Sequence, residues 1–269
     1  MDKLLSFVSK VFIVCFCLTA CDLIGDWPGS GQGLFGYSDP WASLVNEKSE
    51  KAIVNRETVT YGSHSYTLSG NVDFNFNPAE FRGGVTAAVE FTNIPSGYNE
   101  FKTVYEALLG KSLQGTAAMV PMAMEIYARN PNTGEKCFTL LCKDEATVSG
   151  ILRILKTKIP RSAEEEKDKY MQRYLPAALL KGALYDNAYT PSKPYVVEVG
   201  PDSTLPQEAK MSPYGTLYYT RIYADGWESR NRSVKIFLPK GENLFKVQEC
   251  SSCYTQCKDI FGGPWPGLE

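Results

Sequence analysis

The sequence predicts an α+β domain in which an antiparallel β-sheet packs against a central group of about four helices. Two observations support this fold class. Short runs of β-branched and aromatic residues fill residues 52–97 and return after Pro191. Between these two regions, apolar residues recur at helical spacing. Strands at both ends of a chain with helices between them are typical of a single domain with helices on one side of its sheet.

The N-terminal β segment, residues 52–97, shows strand and turn signals. Residues 62–63, Gly-Ser, separate two runs of strand-forming residues, as expected for a tight turn. Residues 72–76 alternate Val, Phe and Phe with polar residues, which indicates a half-buried strand. Residues 85–91 are a further strand candidate.

Four helices are predicted in the middle of the chain. The first spans 101–109, where apolar residues recur at i, i+3, i+4, i+7 and i+8. The second spans 116–128, and Pro121 is expected to kink it or shift its start. The third begins after the N-cap Asp144 and stops before a proline, and the fourth runs from about 163 to 175.

The C-terminal part returns to strands at 195–199, 216–223, 233–238 and 244–249. In the last strand Phe245 and Val247 are expected to face inward. The sequence contains no internal repeat.

The amino terminus resembles a bacterial lipoprotein signal. Leu18-Thr19-Ala20-Cys21 closes an apolar run that begins at residue 11, after the basic residues Lys3 and Lys10. At 1.5 Å per residue this run covers roughly 15 Å, about half of a ~30 Å hydrocarbon core. Residues 1–20 are therefore predicted to be a signal peptide. The resemblance implies cleavage between Ala20 and Cys21 and acylation of the Cys21 thiol.

An uncleaved signal-anchor helix from Leu4 to Ala20 is the alternative. It would place Lys10 inside the bilayer at a cost of several kcal/mol, so cleavage is favoured.

Acylation at Cys21 would make the lipid bilayer a partner of the chain. Two or more acyl chains hold a protein on a membrane far longer than one. We therefore expect a protein of the bacterial cell envelope, anchored to a membrane and facing the periplasm or the exterior. Residues 21–51 are rich in Gly, Pro and Ser and are predicted to be a flexible tether.

Composition excludes some partners. The chain has 28 Lys and Arg against 30 Asp and Glu, a net charge of −2. Without residues 1–20, which hold Lys3, Lys10 and Asp2, the net charge is −3. Nucleic-acid binding needs clustered basic residues, so no nucleic-acid partner is expected.

The C-terminal half resembles an uncharacterised bacterial domain family with the pattern NNYTPS-PY…GY-KLYV-S-GADSPR-IKLR-KG-KWFLWE. The similarity rests on GALYDNAYTPSKPY at 182–195, YGTLY at 214–218, and VKIFLPKGENLFKVQE at 234–249. It covers residues 98–255, and the domain is placed at 98–260. The sequence departs from the pattern at 227–228, where Trp-Glu replaces small residues, and in the final strand. The family has no established activity, so the resemblance implies an α+β fold but no mechanism.

Cysteines are the sharpest chemical feature. Of eight, Cys15 and Cys17 lie in the signal and Cys21 is the lipid site. The five others form a nearby pair and a C-x2-C-x3-C cluster: Cys137 and Cys142, then Cys250, Cys253 and Cys257. Disulfides, free thiols, or a site for zinc or an iron–sulfur cluster all fit these spacings.

A second candidate site lies around one hairpin. Aromatic and cationic side chains that favour binding surfaces occur together there: Tyr219, Arg221, Tyr223, Trp227 and Arg230. The alternative is that the tyrosines simply cover the sheet.

We expect a membrane-anchored interaction or structural protein that is not an enzyme. No cofactor is predicted, and an envelope protein is a candidate partner. The lone histidine, His64, is expected to be an exposed turn residue. Two alternatives stay open: an envelope hydrolase that uses two carboxylates, and a Cys-ligated metal or redox protein.

Overall fold

A computed structural model of the protein describes most of the chain after the predicted tether. The described residues are 53–74, 77–82, 84–162, 164–165, 171–201, 203–226, 231–255 and 257–258. They all belong to one compact unit, Ser49–Glu269. The predicted signal peptide and tether, with Ala20 and Cys21, lie outside the described residues.

The described strands form a single antiparallel sheet, as the sequence predicted. Its order is β1-β2-β3-β4-β6-β7-β8, and the short strand β5 pairs with β6. The strands are β1 (Ile53–Tyr61), β2 (His64–Asp73), β3 (Ala87–Phe91), β4 (Tyr195–Gly200), β5 (Lys210–Ser212), β6 (Gly215–Tyr223), β7 (Asn231–Pro239) and β8 (Lys246–Glu249).

The sheet has two distinct ends. Because each neighbouring pair is antiparallel, β1, β3 and β6 all run in the same direction. We call the end where β1 finishes the Tyr61 end, and the end where β6 begins the Gly215 end. The described chain therefore starts, at Ile53, on the side of the Gly215 end.

Four α-helices lie between β3 and β4 in the described residues: α1 (Tyr98–Ala107), α2 (Leu113–Arg129), α3 (Pro131–Leu141) and α4 (Glu145–Lys158). Three of them begin at a side-chain cap. The side chains of Ser112, Asn130 and Asp144 accept hydrogen bonds from backbone N–H groups three residues later, at 3.0, 3.0 and 2.8 Å. Such caps satisfy donors that the first turn leaves unpaired.

Helix α2 is the centre of the core. Every residue from Leu113 to Ala128 is buried, as expected of a helix that is apolar on all sides. Strands β3, β4, β6, β7 and β8 contact it, as do α3 and the 3-10 turns Leu109–Lys111 and Ala177–Leu179. Pro121 lies inside the helix, which continues through it to Arg129. The α+β fold with helices against an antiparallel sheet is thus confirmed.

The helix predictions were right in number but wrong in part. Helix α3 was not predicted, because Asn130-Pro131-Asn132 resembles a loop although it is the cap and first turn of a helix. The helix predicted over 163–175 is absent from residues 171–175, of which 173–175 form a turn. Residues 166–170 lie outside the described part of that stretch.

The strand predictions held except at two places. The alternation over 72–76 belongs to β2, which ends at Asp73, and residues 75–76 are not among those described. Strand β5 was missed because it has only three residues, all exposed. Phe245 and Val247 are buried, as expected. No described helix is both long and apolar enough to cross a bilayer.

The contact between α2 and α3 gives a stability prediction. A Cβ added at Gly134 would lie 2.2 Å from the Cα of Tyr127, whereas one added at Gly150 in α4 would meet nothing within 4 Å. We expect Gly134→Ala to lower the free energy of unfolding by about 1–3 kcal/mol, since the helices must separate. Denaturant unfolding measures the change.

Gly150→Ala is the matched control. It should raise the free energy of unfolding by about 0.5–1 kcal/mol, because alanine favours a helix over glycine. Equal effects of both substitutions would contradict the proposed close packing of α2 on α3.

Candidate functional site

A buried carboxylate organises the Tyr61 end of the molecule. Glu100, in the first turn of α1, is 2% exposed. Its Oε1 accepts hydrogen bonds from His64 Nδ1 at 2.6 Å and Tyr66 Oη at 2.7 Å. Its Oε2 accepts from both the backbone N and the Oγ of Ser96, each at 2.7 Å. Glu100 therefore ties β2 to the start of α1.

These contacts keep Glu100 ionised. Burial raises the pKa of its carboxyl group, but hydrogen bonds from Ser96, Tyr66 and His64 outweigh burial and lower the pKa overall. Burial and the adjacent carboxylate raise the pKa of the Tyr66 hydroxyl. A general acid needs the opposite shift, so the lowered pKa of Glu100 argues against that role.

A polar cleft of about 450 Å³ lies beside Glu100. We call it the polar cleft. It is bounded by the first turn of α1, the end of α2 and the start of α3. Two aromatic rings, two amides, two aliphatic hydroxyls, two cations and one carboxylate line it: Tyr61, Tyr98, Asn99, Asn130, Ser96, Thr133, Arg129, Lys136 and Glu100.

A buried ion-pair group supports the cleft from the α2 side. Glu125 accepts two hydrogen bonds from Arg173, both at 2.6 Å, and one from Arg129 Nε at 2.8 Å. Two guanidinium groups thus face one carboxylate, and within these three side chains one net positive charge remains. The Arg129 side chain is 38% exposed and lines the polar cleft. Its position is fixed by Glu125.

A second hollow, of about 300 Å³, contains two carboxylates. Asp73 and Glu80 both line it, together with Arg82 and Gln114. Glu80 accepts a hydrogen bond from Asn77 Nδ2 at 3.2 Å. This hollow is a described place where two acidic side chains border one cavity, which bears on the hydrolase alternative.

The structure brings Cys142 close to the C-terminal cysteines. Cys142 caps α3 and pairs through its backbone with Val247 of β8, and Cys250 follows that strand. Cys250 Sγ lies 3.4 Å from Tyr254 Oη. Burial, with the neighbouring Cys250 thiol, raises the pKa of Cys142, and burial alone raises the pKa of Cys137 to about 12.

The five cysteines of the described residues are free thiols in this structure, four of them buried and Cys257 half-buried. In the part of the chain that is described, no group of three or more His, Cys, Asp or Glu side chains is arranged to hold a metal. The disulfide, thiol and metal alternatives for Cys137, Cys142, Cys250, Cys253 and Cys257 stay predictions.

The predicted aromatic surface is described in part. Tyr219, Arg221 and Tyr223 alternate along β6 with buried residues of the helix-facing side. Tyr219 is only 7% exposed, and the Arg221 guanidinium lies 4.3 Å from the ring centre of Tyr223. Tyr223 Oη also donates to a backbone carbonyl at 3.2 Å. Trp227 and Arg230 lie outside the described residues, so this surface remains a prediction.

Sequence reasoning missed the role of His64. It was expected to be exposed in a turn, yet it begins β2 and its ring contacts buried Glu100. One signal was available: Glu100 is the third residue of α1, where an acidic side chain often satisfies the free N–H groups of a helix start. Its partners on β2 are not readable from local sequence.

Comparison with known proteins places the chain in a family. A family model described as a domain of unknown function (DUF6935) matches residues 93–260. The chain belongs to this family. The DUF6935 segment includes all four described helices and the second half of the sheet, but β1, β2 and β3 precede it. No curated protein and no solved structure matches the chain.

The matched range includes only part of the hydrogen-bonded group around Glu100. Glu100 and Ser96 lie inside the DUF6935 segment, whereas His64 and Tyr66 lie before it. The expectation of a domain of unknown function in the C-terminal part is confirmed, and the motifs on which the resemblance rests stay predictions.

Acid should reveal the contribution of Glu100. Because its pKa is lowered from 4.5 in the folded protein, it stabilises the fold above that value, and the stabilisation is lost as pH falls through the folded pKa. We expect Glu100→Gln to lower the free energy of unfolding at pH 7 by about 1–3 kcal/mol. Below about pH 4.5 the free energy of unfolding of the variant should also fall less steeply with pH than that of the parent.

The exposed Glu57, on β1, supplies the control. Glu57→Gln should leave the acid part of the stability profile unchanged. If Glu100→Gln gave the parent profile, ionised Glu100 would not stabilise the fold.

Alkylation tests the state of the thiols. We expect a small alkylating reagent to modify half-buried Cys257 before the buried four, because burial and a raised pKa both slow thiolate chemistry. After unfolding without reductant, all five cysteines between residues 137 and 257 should react. Mass spectrometry counts the adducts, and a deficit of two on unfolding would establish a disulfide instead.

Proposed function

We propose that this DUF6935 protein is a lipid-anchored binding protein of the bacterial cell envelope. In this proposal its ectodomain binds an acidic saccharide in the polar cleft and does not alter it chemically. The observation that carries the proposal is the lining of the cleft, where two cations stand next to aromatic and amide side chains. The charge of the lining carboxylate, Glu100, is met by four hydrogen bonds from the protein. Cys21 acylation would attach the domain to the membrane.

The cations favour a carboxylate-bearing ligand. Charge-assisted hydrogen bonds from guanidinium and ammonium groups to carboxylates are strong and directional. Arg129 is held in place by Glu125, so its geometry is set before a ligand arrives, which lowers the cost of binding. Lys136 is exposed on α3 and adds a second positive charge.

The other side chains favour a saccharide. Tyr61 and Tyr98 offer partly exposed aromatic rings, and Asn99, Asn130 and Thr133 offer amide and hydroxyl groups. Small-molecule sites commonly combine apolar walls with a few polar groups that orient the ligand. Hydroxyl groups of a sugar would pair with these amides, and its carboxylate with the cations.

The hydrogen bonding of the carboxylates near the polar cleft favours binding without catalysis. Glu100 accepts four hydrogen bonds, and Glu125 accepts three. Carboxylates that are so fully occupied are poor proton donors and poor nucleophiles.

The hydrolase alternative has one supporting observation, the hollow with Asp73 and Glu80. Glycoside hydrolysis uses two carboxylates that face the bond to be cleaved. If Asp73→Asn and Glu80→Gln each abolished cleavage of an envelope glycan by the parent protein, the binding proposal would yield to this alternative.

Charge reversal at Lys136 tests the binding site. We expect Lys136→Glu to weaken binding of an oligogalacturonate probe at least about tenfold, since a charge-assisted contact becomes a repulsion. Titration calorimetry measures the affinity. Lys156→Glu, an exposed lysine on α4, should change it little. Equal affinities for Lys136→Glu and the parent, or tighter binding of an acidic peptide, would reject the proposed site.

Anchoring is tested by Cys21→Ala. In the parent, membranes washed with carbonate should retain the protein, and the amino-terminal peptide should carry acyl chains by mass spectrometry. The variant should appear in the soluble fraction. Retention of Cys21→Ala on washed membranes would reject lipid anchoring.

A further inference from the structure

The turn between β5 and β6 presents an unusual apolar tip. Met211 is 66% exposed and Tyr214 is 81% exposed, and Pro213 between them is exposed as well. We call residues 211–214 the hairpin tip. Large apolar side chains that are exposed together on one turn indicate contact with another surface.

Hydrogen bonds hold the backbone of the hairpin tip. Ser212 pairs with Gly215 across the turn, and Ser212 Oγ donates to the Gly215 carbonyl at 2.8 Å. The Tyr214 carbonyl accepts from the Lys240 backbone N at 3.0 Å. Proline fixes the backbone at position 213. These contacts fix the backbone of the turn on which the exposed Tyr214 side chain is carried.

The tip and the start of the described chain lie on the same side of the fold. The tip lies at the Gly215 end of the sheet, and β1 begins toward the same end. The segment that would lead from the acylated Cys21 joins the sheet at β1. The polar cleft lies at the Tyr61 end. Followed through the strand registers, Tyr61 is about 13 residue positions from Gly215, roughly 40 Å along the strand direction at about 3.3 Å per residue.

We propose that the hairpin tip rests in the interfacial region of the bilayer to which Cys21 is anchored, so that the polar cleft faces away from the membrane. The inference rests on the proposed lipid anchor. Tyrosine is enriched at membrane interfaces because its ring is apolar and its hydroxyl is polar. Met211 supplies a flexible apolar side chain.

The flanking charges make the contact apolar rather than electrostatic. Lys210 and Lys240 adjoin the tip, and their long stems can lie along an apolar surface with the ammonium group in water. Glu208 and Glu242 lie in the same two segments and offset them. We therefore expect the contact to be insensitive to salt and to the anionic lipid content.

Photo-crosslinking of the full acylated chain tests the proposal. A benzophenone-bearing phenylalanine analogue replaces Tyr214, or, as the matched control, Tyr185. Tyr185 is 41% exposed in the turn beside Gly226, beyond the end of β6, and so on the side of the Tyr61 end. The proteins are placed on vesicles of phosphatidylethanolamine and phosphatidylglycerol, and adducts are identified by mass spectrometry.

We expect lipid adducts at position 214 and none at position 185. This result should be the same at low and at high salt. Protein adducts or no adducts at 214, on a chain whose acylation is verified by mass, would overturn the tip contact while leaving the anchor intact. Equal lipid adducts at both positions would overturn the orientation. A chain that carries no acyl group at Cys21 would overturn the anchor, and with it the inference.

Discussion

The complete burial of helix α2 is the constraint on which the rest of the structure depends. Sixteen successive residues, Leu113 to Ala128, are buried, so sheet, helices and turns must enclose the helix on every side. Enclosure also obliges its few polar groups to find protein partners. Gln114 donates to the Val85 carbonyl at 3.1 Å, and Glu125 receives Arg173 from a segment 48 residues later. The loop after α4 is thereby bound to the core.

The polar cleft follows from the same constraint. Helix α2 is buried up to its last residue, Arg129, which reaches the surface. Because Glu125 lies one turn earlier, it can accept a hydrogen bond from the Arg129 side chain. Helix α3 starts at once, so Lys136 stands nearby on the same rim. On the opposite rim Glu100 fixes the start of α1 through β2. Ion pairs that mainly satisfy buried charges are weak contributors to stability, yet here they position the groups that face the cleft.

Local patterns predicted much of the fold and little of the cleft. Alternation and helical spacing gave the strands, α1, α2 and α4, since each of these depends on which side chains are buried. Helix α3 was not predicted because Asn130 and Pro131 resemble a loop, although both residues are also common at the start of a helix. The cysteine and β6 candidates were chosen by residue type and by closeness in the sequence. His64 and Glu100 are 36 residues apart, and only the pairing of whole elements brings such residues together.

The division of the sheet has a consequence for work on this family. The matched segment begins at residue 93, after β3, yet β3 forms five pairs with β4. A polypeptide trimmed to that segment would leave the backbone donors and acceptors along one side of β4 without partners, next to the apolar side chains of Val197 and Val199. Unpaired strand edges of this kind pair with strands of other molecules. Recombinant production of the isolated segment should therefore favour insoluble material, and the first three strands belong in any soluble version.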